Sequence, residues 1–351
     1  MTRIILLLLL GVSFAIAWKQ FSQLSLTVVG HPTSTGLIQS QQEEPFFKNL
    51  GEQSGLSLHV TYTPVDSIGL MDDHQLPILQ RGYFDLVSLR FLQNSDLEPS
   101  LQGIDLVGVN SDFITAQEVV AAYSDTVDQY LQSQFDSKLL GVWSLGPQEI
   151  YCRDPIQSLR DLKGRKVRIG SATLSTFVSE LGGTPVVMRF EDTYNALAID
   201  LIDCAVTGAP SANFNGWPEH TNYYFPLAVH FGLNGYVMSL EKWNSLSSTE
   251  QAALQDTFNN YIEQLWQFSI DLHEDAASCN TGNSCRVNRL YDMTLVQPSP
   301  ADVRLLRSIM ENQALTEWGA RCDAVHPGCY NAWQETVGNV LGLEREAKDG
   351  E

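Results

Sequence analysis

The sequence predicts an α/β fold of two similar lobes, because strand and helix patterns alternate along the chain and the alternation starts twice. In the first half, β-rich segments at 25–30, 56–62 and 84–89 are separated by segments with helical spacing. In the second half, short strand patterns at 167–169 and 185–188 again alternate with helical ones. Such alternation is typical of parallel sheets whose faces are covered by helices.

A loose internal similarity supports two lobes of one plan. Residues 79–89 (LQRGYFDLVSL) and 197–207 (LAIDLIDCAVT) both run from a helix end through a tight turn to an aspartate that begins a strand. A repeat of this kind favours two related lobes over a single large domain. A helix pattern at 116–134 and a strand pattern at 138–143 complete the first unit.

Residues 247–272 have the spacing of one long amphipathic helix. Ser247 or Ser248 can cap it, with Glu250 or Gln251 completing a capping box. At 1.5 Å per residue the helix would be roughly 40 Å long, which is more than one small lobe needs. We interpret it as a spine that crosses between the lobes, although periodicity alone fits an ordinary surface helix equally well.

The first 17 residues contain the parts of a secretory signal peptide. Arg3 precedes an apolar run at 4–14, which is followed by Ala-Ile-Ala at 15–17. The run is shorter than the roughly 20 residues that span a bilayer, and no cysteine follows for a lipid anchor. We predict that 1–17 are removed and that the mature chain lies outside the cytoplasm, a retained membrane anchor being the alternative. The charged residues 344–351 are predicted to be a disordered tail.

The charge of the chain excludes one class of partner. Asp and Glu number 41 against 21 Lys and Arg, which gives a formal net charge of −20. Such a surface repels phosphate backbones, so nucleic acid is not expected as a partner. A site for a small anion would therefore need local positive charge, and single arginines become the candidates.

Six cysteines, an even number, are typical of an oxidising compartment. The pairs Cys279–Cys285 and Cys322–Cys329 span short loops rich in turn residues, and each disulfide would stabilise the fold by roughly 2–3 kcal/mol. Cys152 and Cys204 are then paired by elimination. Neither CxxC nor a His–Cys cluster with ligand spacing occurs, so no metal site and no cofactor are expected.

Motifs of catalysis are missing from the sequence. His273-Glu274 begins like a zinc-protease motif, but no second histidine follows at the required spacing. Nucleophile elbows and the glycine-rich fingerprints of phosphate and dinucleotide loops do not occur either. The pattern favours a binding protein, in which a ligand lies beyond the carboxyl ends of the strands and hinge closure buries it. The strand-end candidates for contacts are Arg90, Arg168, Phe190 and Thr207.

Arg168 is the strongest of these candidates in chemical terms. In GRKVRIG, a strand would direct Lys166 and Arg168 to one face and the neighbouring apolar residues to the other. A planar guanidinium binds a carboxylate through two parallel hydrogen bonds and keeps its charge. Taken alone, however, an arginine on so acidic a protein is more readily interpreted as an ordinary ion-pair partner.

The stretch 152–208 resembles the DctP-like substrate-binding proteins of tripartite ATP-independent periplasmic (TRAP) transporters. The matching elements are DLKGRKVR at 161–168, LGGTPVVM at 181–188 and EDTYNALAIDLIDCA at 191–205, in this order. NGWPEHTNYYF at 215–225 is also similar to the family.

This resemblance implies a periplasmic-binding-protein-like fold with two lobes, hinge strands and a long helix that bridges the lobes. We accordingly predict lobe 1 at 18–145 plus about 233–270 and lobe 2 at 146–232 plus about 271–343. The implied function is that of a receptor without catalysis, which binds a small organic anion, a carboxylate, and delivers it to TRAP membrane subunits. The alternatives are a receptor of another transport or sensory system and, more remotely, a periplasmic enzyme. The implied location is the periplasm, and a monomer is expected.

The resemblance also assigns roles within the cleft. It implies that Arg168 binds the ligand carboxylate, that Phe190 lines the cleft and that Thr207 makes a polar contact. Gln148 stands where some members of the family have a second basic residue, so a ligand with two anionic groups fits less well. The remaining predicted contacts are Trp217, as an aromatic wall or else a core residue, and His31 and Arg90 from the opposite wall.

Overall fold

A computed structural model of the chain describes residues 24–343, and eleven strands in this range form two sheets. The first sheet contains β1 (Leu24–Gly30), β2 (Leu58–Pro64), β3 (Leu86–Arg90), β4 (Ser137–Ser144) and β10 (Leu233–Ser239). The second contains β5 (Gln148–Cys152), β6 (Lys166–Ile169), β7 (Thr184–Val187), β8 (Cys204–Gly208), β9 (Tyr223–His230) and β11 (Thr294–Leu295). The strand orders are β2-β1-β3-β10-β4 and β11-β9-β5-β8-β6-β7.

Helices cover both sheets. In chain order they are α1 (Glu44–Ser54), α2 (Gln75–Gln80), α3 (Phe91–Asn94), α4 (Ser100–Gly103), α5 (Phe113–Phe135), α6 (Ser175–Glu180), α7 (Phe190–Ala198), α8 (Ala209–Phe214), α9 (Leu240–Ser245), α10 (Ser248–Asn280), α11 (Pro300–Ile309), α12 (Leu315–Val325) and α13 (Cys329–Trp333). Three π-helical segments, Ile38–Glu43, Met310–Ala314 and Gln334–Gly338, adjoin α1, α12 and α13. Lobe 1 is built on the first sheet and lobe 2 on the second, so the two-lobed α/β prediction is confirmed. No helix in the range that the structure describes combines the length and apolarity needed to cross a membrane.

The chain passes between the sheets where β4 is followed by β5 and where β9 is followed by β10. The two passages lie side by side, since Leu233 pairs with Ser144 in the first sheet and Gln148 pairs with His230 in the second. β10 then runs antiparallel between β3 and β4. Its Gly235 lies so close to Phe91 that an added Cβ would meet the ring at 2.7 Å.

The C-terminal helices divide between the two lobes, which corrects the predicted lobe 2 segment 271–343. Leu306 and Ile309 of α11 join the core of the second lobe. Trp318 and Trp333, in α12 and α13, instead belong to the core of the first lobe. Their indole N–H groups donate to the carbonyls of Pro99 and Gly103, each at 2.7 Å. These paired indoles give the physical reason why the chain returns to lobe 1.

The long helix α10 bridges the lobes, as the spine interpretation predicted, and extends to Asn280. Ser247 and Glu250 form its capping box. In lobe 1, Trp266 packs in the core and donates to the carbonyl of Val142 at 3.1 Å. In lobe 2, the Asn280 side chain accepts from Asn213 at 2.7 Å. The 33 residues of α10 extend over about 50 Å.

All three predicted disulfides are confirmed. Cys152–Cys204 joins directly paired residues of β5 and β8, with Cα atoms 4.1 Å apart. Cys279–Cys285 and Cys322–Cys329 close the two short loops. The predicted signal peptide at 1–17 and the tail at 344–351 lie outside the described residues.

Candidate functional site

A cleft of about 620 Å³ lies between the two sheets, at the carboxyl ends of several strands. Lobe 1 contributes Asp72 and Arg90 to its lining, and lobe 2 contributes Arg168, Phe190 and Thr207. The passages between the lobes contribute Gln148, His230 and Asn234. Five of the seven side chains predicted from sequence therefore line one cleft: Arg90, Gln148, Arg168, Phe190 and Thr207.

Arg168 is held rigidly in the wall of lobe 2. It extends from β6, between β7 and β8, and is 5 % exposed. Its Nε and one terminal nitrogen donate to the carbonyl of Met188 at 3.1 and 2.9 Å, and the other terminal nitrogen donates to the carbonyl of Val206 at 3.1 Å. A guanidinium has five N–H groups, so each terminal nitrogen retains one further donor.

Two aromatic rings pack against the same guanidinium. The Arg168 Cζ lies 5.7 Å from the ring centroid of Phe190 and 5.8 Å from that of Trp217. The two rings are themselves stacked at 5.1 Å. Cation–π attraction therefore stabilises the charge and orients the guanidinium plane.

The charge of Arg168 has no carboxylate partner in the part of the chain that the structure describes, which argues against the ordinary ion-pair reading. Burial, and then the charge of Arg90, lower the pKa of Arg168 to about 10, while Glu191 acts in the opposite direction. The side chain thus stays protonated at neutral pH. A buried cation without a counter-ion is costly, and an anion bound in the cleft would offset that cost.

Arg90 faces the cleft from lobe 1 and already has a counter-ion. One of its terminal nitrogens lies 3.4 Å from Asp72 Oδ2, and the two side chains are 18 % and 22 % exposed. Asp72 Oδ1 and Arg90 Nε are buried without a hydrogen-bond partner among residues 24–343. Burial raises the pKa of Asp72, and the charge of Arg90 opposes that rise.

Polar side chains close the cleft on the side of the two passages. Gln148 donates to the carbonyl of Gly146 at 2.9 Å, and Asn234 donates to that of Gly232 at 2.7 Å. His230 Nδ1 lies 3.1 Å from Asp105 Oδ2. Sequence reasoning missed His230 and Asn234, although polar residues flanking Gly232 between two apolar segments were a usable signal.

Two predicted contacts are corrected by the structure, because His31 and Trp217 are fully buried and lie outside the cleft lining. The His31 ring packs edge-on against Trp143 at 5.0 Å, and burial followed by the charge of Arg90 lowers the pKa of His31 well below its ordinary value. Trp217 is a core residue that packs behind Phe190 and supports Arg168.

The lobes also touch at one side of the cleft. Ser34 Oγ of lobe 1 donates to Glu191 at 3.2 Å, and the side chain of Asn215 in lobe 2 donates to the Ser34 carbonyl at 3.1 Å. The Phe214 ring packs on Gly36, where an added Cβ would meet the ring at 2.9 Å. Both lobes therefore share the boundary of the cleft.

Comparison with known proteins identifies similar sequences. The family model described as bacterial extracellular solute-binding protein, family 7 (DctP), matches residues 29–297. The sialic acid-binding periplasmic protein SiaP of Vibrio cholerae is 22 % identical over 248 residues, covering 70 % of this chain and 74 % of that protein. A solute-binding protein of Chromohalobacter salexigens is 27 % identical over 138 residues, covering 38 % of this chain and 41 % of the other.

Solved structures share the fold at low sequence identity. A TRAP periplasmic solute-binding protein of Desulfovibrio salexigens with bound orotic acid has a TM-score of 0.78 and 17 % identity, covering 90 % of this chain and 99 % of that one. The Bordetella pertussis receptor DctP7, which binds pyroglutamic acid, has a TM-score of 0.75 and 16 % identity, covering 88 % and 99 %. A Sulfitobacter protein with bound galacturonate has a TM-score of 0.73 and 16 % identity, covering 90 % and 99 %.

Proposed function

Because the chain belongs to the bacterial extracellular solute-binding proteins of family 7, we propose that it is a periplasmic receptor for a small organic carboxylate, which it delivers to the membrane subunits of a TRAP transporter. The observation that carries this proposal is the state of Arg168. Its guanidinium is buried, fixed by two carbonyls, stacked on aromatic rings and without a carboxylate partner in the described chain.

The chemistry of recognition follows from the two remaining N–H groups of Arg168. A carboxylate can accept both with its two oxygens, and such charge-assisted bonds are about twice as strong as neutral ones. Because three other N–H groups are already held, little conformational entropy is lost when the ligand binds. Thr207 and Gln148, which also line the cleft, are suited to contact the rest of the ligand.

Closure of the lobes would couple binding to delivery. The ligand would contact Arg168 in lobe 2 and the Arg90–Asp72 pair in lobe 1, so it interacts best when both walls are near. A ligand shifts a conformational equilibrium only through such differential contacts. The closed, loaded receptor is the form that we propose docks on the transporter.

Two kinds of comparison support a carboxylate ligand without catalysis. The ligands named for the three similar structures above, orotic acid, pyroglutamic acid and galacturonate, are organic acids. The family is one of solute receptors, and we propose that this chain likewise releases its ligand unchanged.

Three disulfides are in keeping with an oxidising compartment outside the cytoplasm. We propose that the receptor is a monomer, which analytical sedimentation would test.

A thermal-shift panel of monocarboxylates, dicarboxylates, keto acids, amino acids and sulfonates tests the proposal. A true ligand at 100 times its Kd should stabilise the folded protein by about 2.7 kcal/mol, and the melting temperature should rise accordingly. NMR of the recovered ligand should show it unchanged. Stabilisation by no organic acid, or conversion of the one that binds, would contradict the proposal.

A further inference from the structure

The two guanidinium groups that face each other across the cleft differ in their counter-ions. Arg90 lies 3.4 Å from Asp72, and both side chains are largely enclosed. Arg168 is 5 % exposed, and no carboxylate of the described residues pairs with it. The enclosed part of the cleft therefore holds one positive charge in excess.

This balance limits the charge of the ligand. One carboxylate neutralises the excess at Arg168. A second carboxylate would either be buried without a cation or compete with Asp72 for Arg90, and both alternatives are costly. The other charged residues of the lining are more exposed and mostly acidic, which adds repulsion against a dianion; they are Asp66, Asp73, Asp96, Arg189, Glu191 and Asp192.

Asp72 also has an unmet hydrogen-bonding requirement. The carboxylate lines the cleft with its side chain 22 % exposed, yet it accepts no hydrogen bond from residues 24–343: Oδ2 has only the ion pair with Arg90, and Oδ1 is enclosed. Buried polar atoms are satisfied in the great majority of cases, so a donor from the ligand is expected here. A neutral donor fits better than an ammonium group, because an ammonium would restore the charge excess that the ligand carboxylate removes.

We infer that the ligand is a monocarboxylate that also carries a neutral hydroxyl or amide N–H, with its carboxylate on Arg168 and its donor on the Asp72 carboxylate. This inference rests on the proposed function and narrows its ligand class. Asp72 thus acts as a specificity residue in two ways. It accepts from the donor, and it occupies Arg90 so that dicarboxylates are disfavoured.

Matched probes separate these effects in isothermal titration calorimetry. Pyroglutamate is compared with N-methylpyroglutamate and glutarate, mandelate with phenylacetate, and lactate with propionate. The comparison is made within whichever of these three sets contains the tightest-binding acid. In the unmodified protein, the donor-bearing acid of that set should bind at least tenfold more tightly than its donor-free analogue. A dicarboxylate of similar length should bind more weakly still.

The Asp72→Asn variant provides the decisive comparison. It should weaken binding of the donor-bearing acid by about fivefold to tenfold, because a neutral amide oxygen accepts more weakly than a carboxylate. It should improve binding of the dicarboxylate, because Arg90 is released. Asp256→Asn is the matched control, since Asp256 is exposed on α10 and lies outside the cleft lining. That control should change neither affinity more than twofold, and circular dichroism verifies that both variants fold. Asp72→Ala removes the acceptor altogether, should weaken binding of the donor-bearing acid at least tenfold, and repeats the test if the asparagine variant does not fold.

The outcomes distinguish this inference from the proposed function. Equal binding of donor-bearing and donor-free acids, unchanged in Asp72→Asn but lost when Arg168 is replaced, would overturn the inference and leave the receptor function intact. Tight binding of a dicarboxylate to the unmodified protein would overturn it as well. If neither these probes nor the wider acid panel bind, the receptor function itself fails, and the inference fails with it.

Discussion

Replacement of Arg168 by methionine is expected to remove ligand binding while leaving the unliganded protein folded. Methionine keeps the length and apolar contacts of the side chain but loses the charge and the five donors. Truncating one partner of a buried, hydrogen-bonded charge pair costs about 2–5 kcal/mol of binding free energy. The Kd for the carboxylate should therefore rise by roughly 30-fold to several thousand-fold.

The effect on the unliganded protein is small because two contributions oppose each other. The variant loses three hydrogen bonds to the carbonyls of Met188 and Val206, which amounts to about 3–5 kcal/mol. It also loses a buried cation whose pKa is lowered to about 10 from 12.5, and relief from that burial returns about 3 kcal/mol. The net change in the free energy of unfolding should be within about 2 kcal/mol.

Calorimetric titration gives the Kd, and urea unfolding without ligand gives the stability. Arg168→Lys is the control, because it keeps the charge without the two parallel donors and should recover part of the affinity. A loss of affinity below tenfold would refute the role of Arg168 as anchor. Collapse of the unliganded fold would show instead that Arg168 is a structural residue.

Three further expectations concern stability. Burial raises the pKa of Glu149 from 4.5 to about 8, so between pH 6.5 and 8 the unfolded chain has released a proton that the folded chain holds, and stability falls as pH rises. Glu149→Gln should remove about 2 kcal/mol of that decline, as measured by urea unfolding at several pH values. His273, whose pKa burial lowers to about 4, acts in the opposite sense only below this pH window. An unchanged slope of stability against pH in the variant would be inconsistent with the buried carboxyl. Replacing Cys152 and Cys204 by alanine removes a disulfide between residues 52 positions apart and should lower the free energy of unfolding by about 4 kcal/mol. A loss below about 1 kcal/mol would contradict the expectation. Gly235→Ala should lower stability by about 1–3 kcal/mol, because the new methyl group meets Phe91 and Leu139; an unaltered denaturation midpoint would show that the strand can shift to admit it.

Local patterns were sufficient to predict most of the fold, since helix caps and strand periodicity depend on neighbouring residues. The long helix was predicted because Ser247, Glu250 and the apolar stripe lie within one segment. The insertion of β10 between β3 and β4 was not predicted, because pairing of remote strands leaves no local pattern. The return of Trp318 to lobe 1 was missed for a similar reason, since an apolar helix face does not specify which core it joins.

Site residues could be predicted where a charged side chain stands near the end of a predicted strand. Arg90 ends β3 and Arg168 stands one residue before the end of β6, so both were predicted to lie at the cleft, and both line it. Asp72 lies in a short helical turn between β2 and α2, where no periodicity indicates which way a side chain faces. Trp217 was left open between wall and core, and its burial behind Phe190 depends on packing that residue type alone does not determine.

A crystal structure of the protein with its best-binding organic acid tests the central claim most directly. The account predicts one carboxylate of the ligand between the lobes, its two oxygens about 2.7–2.9 Å from the terminal nitrogens of Arg168. A ligand bound elsewhere on the protein, or one in the cleft whose carboxylate does not contact Arg168, would contradict it.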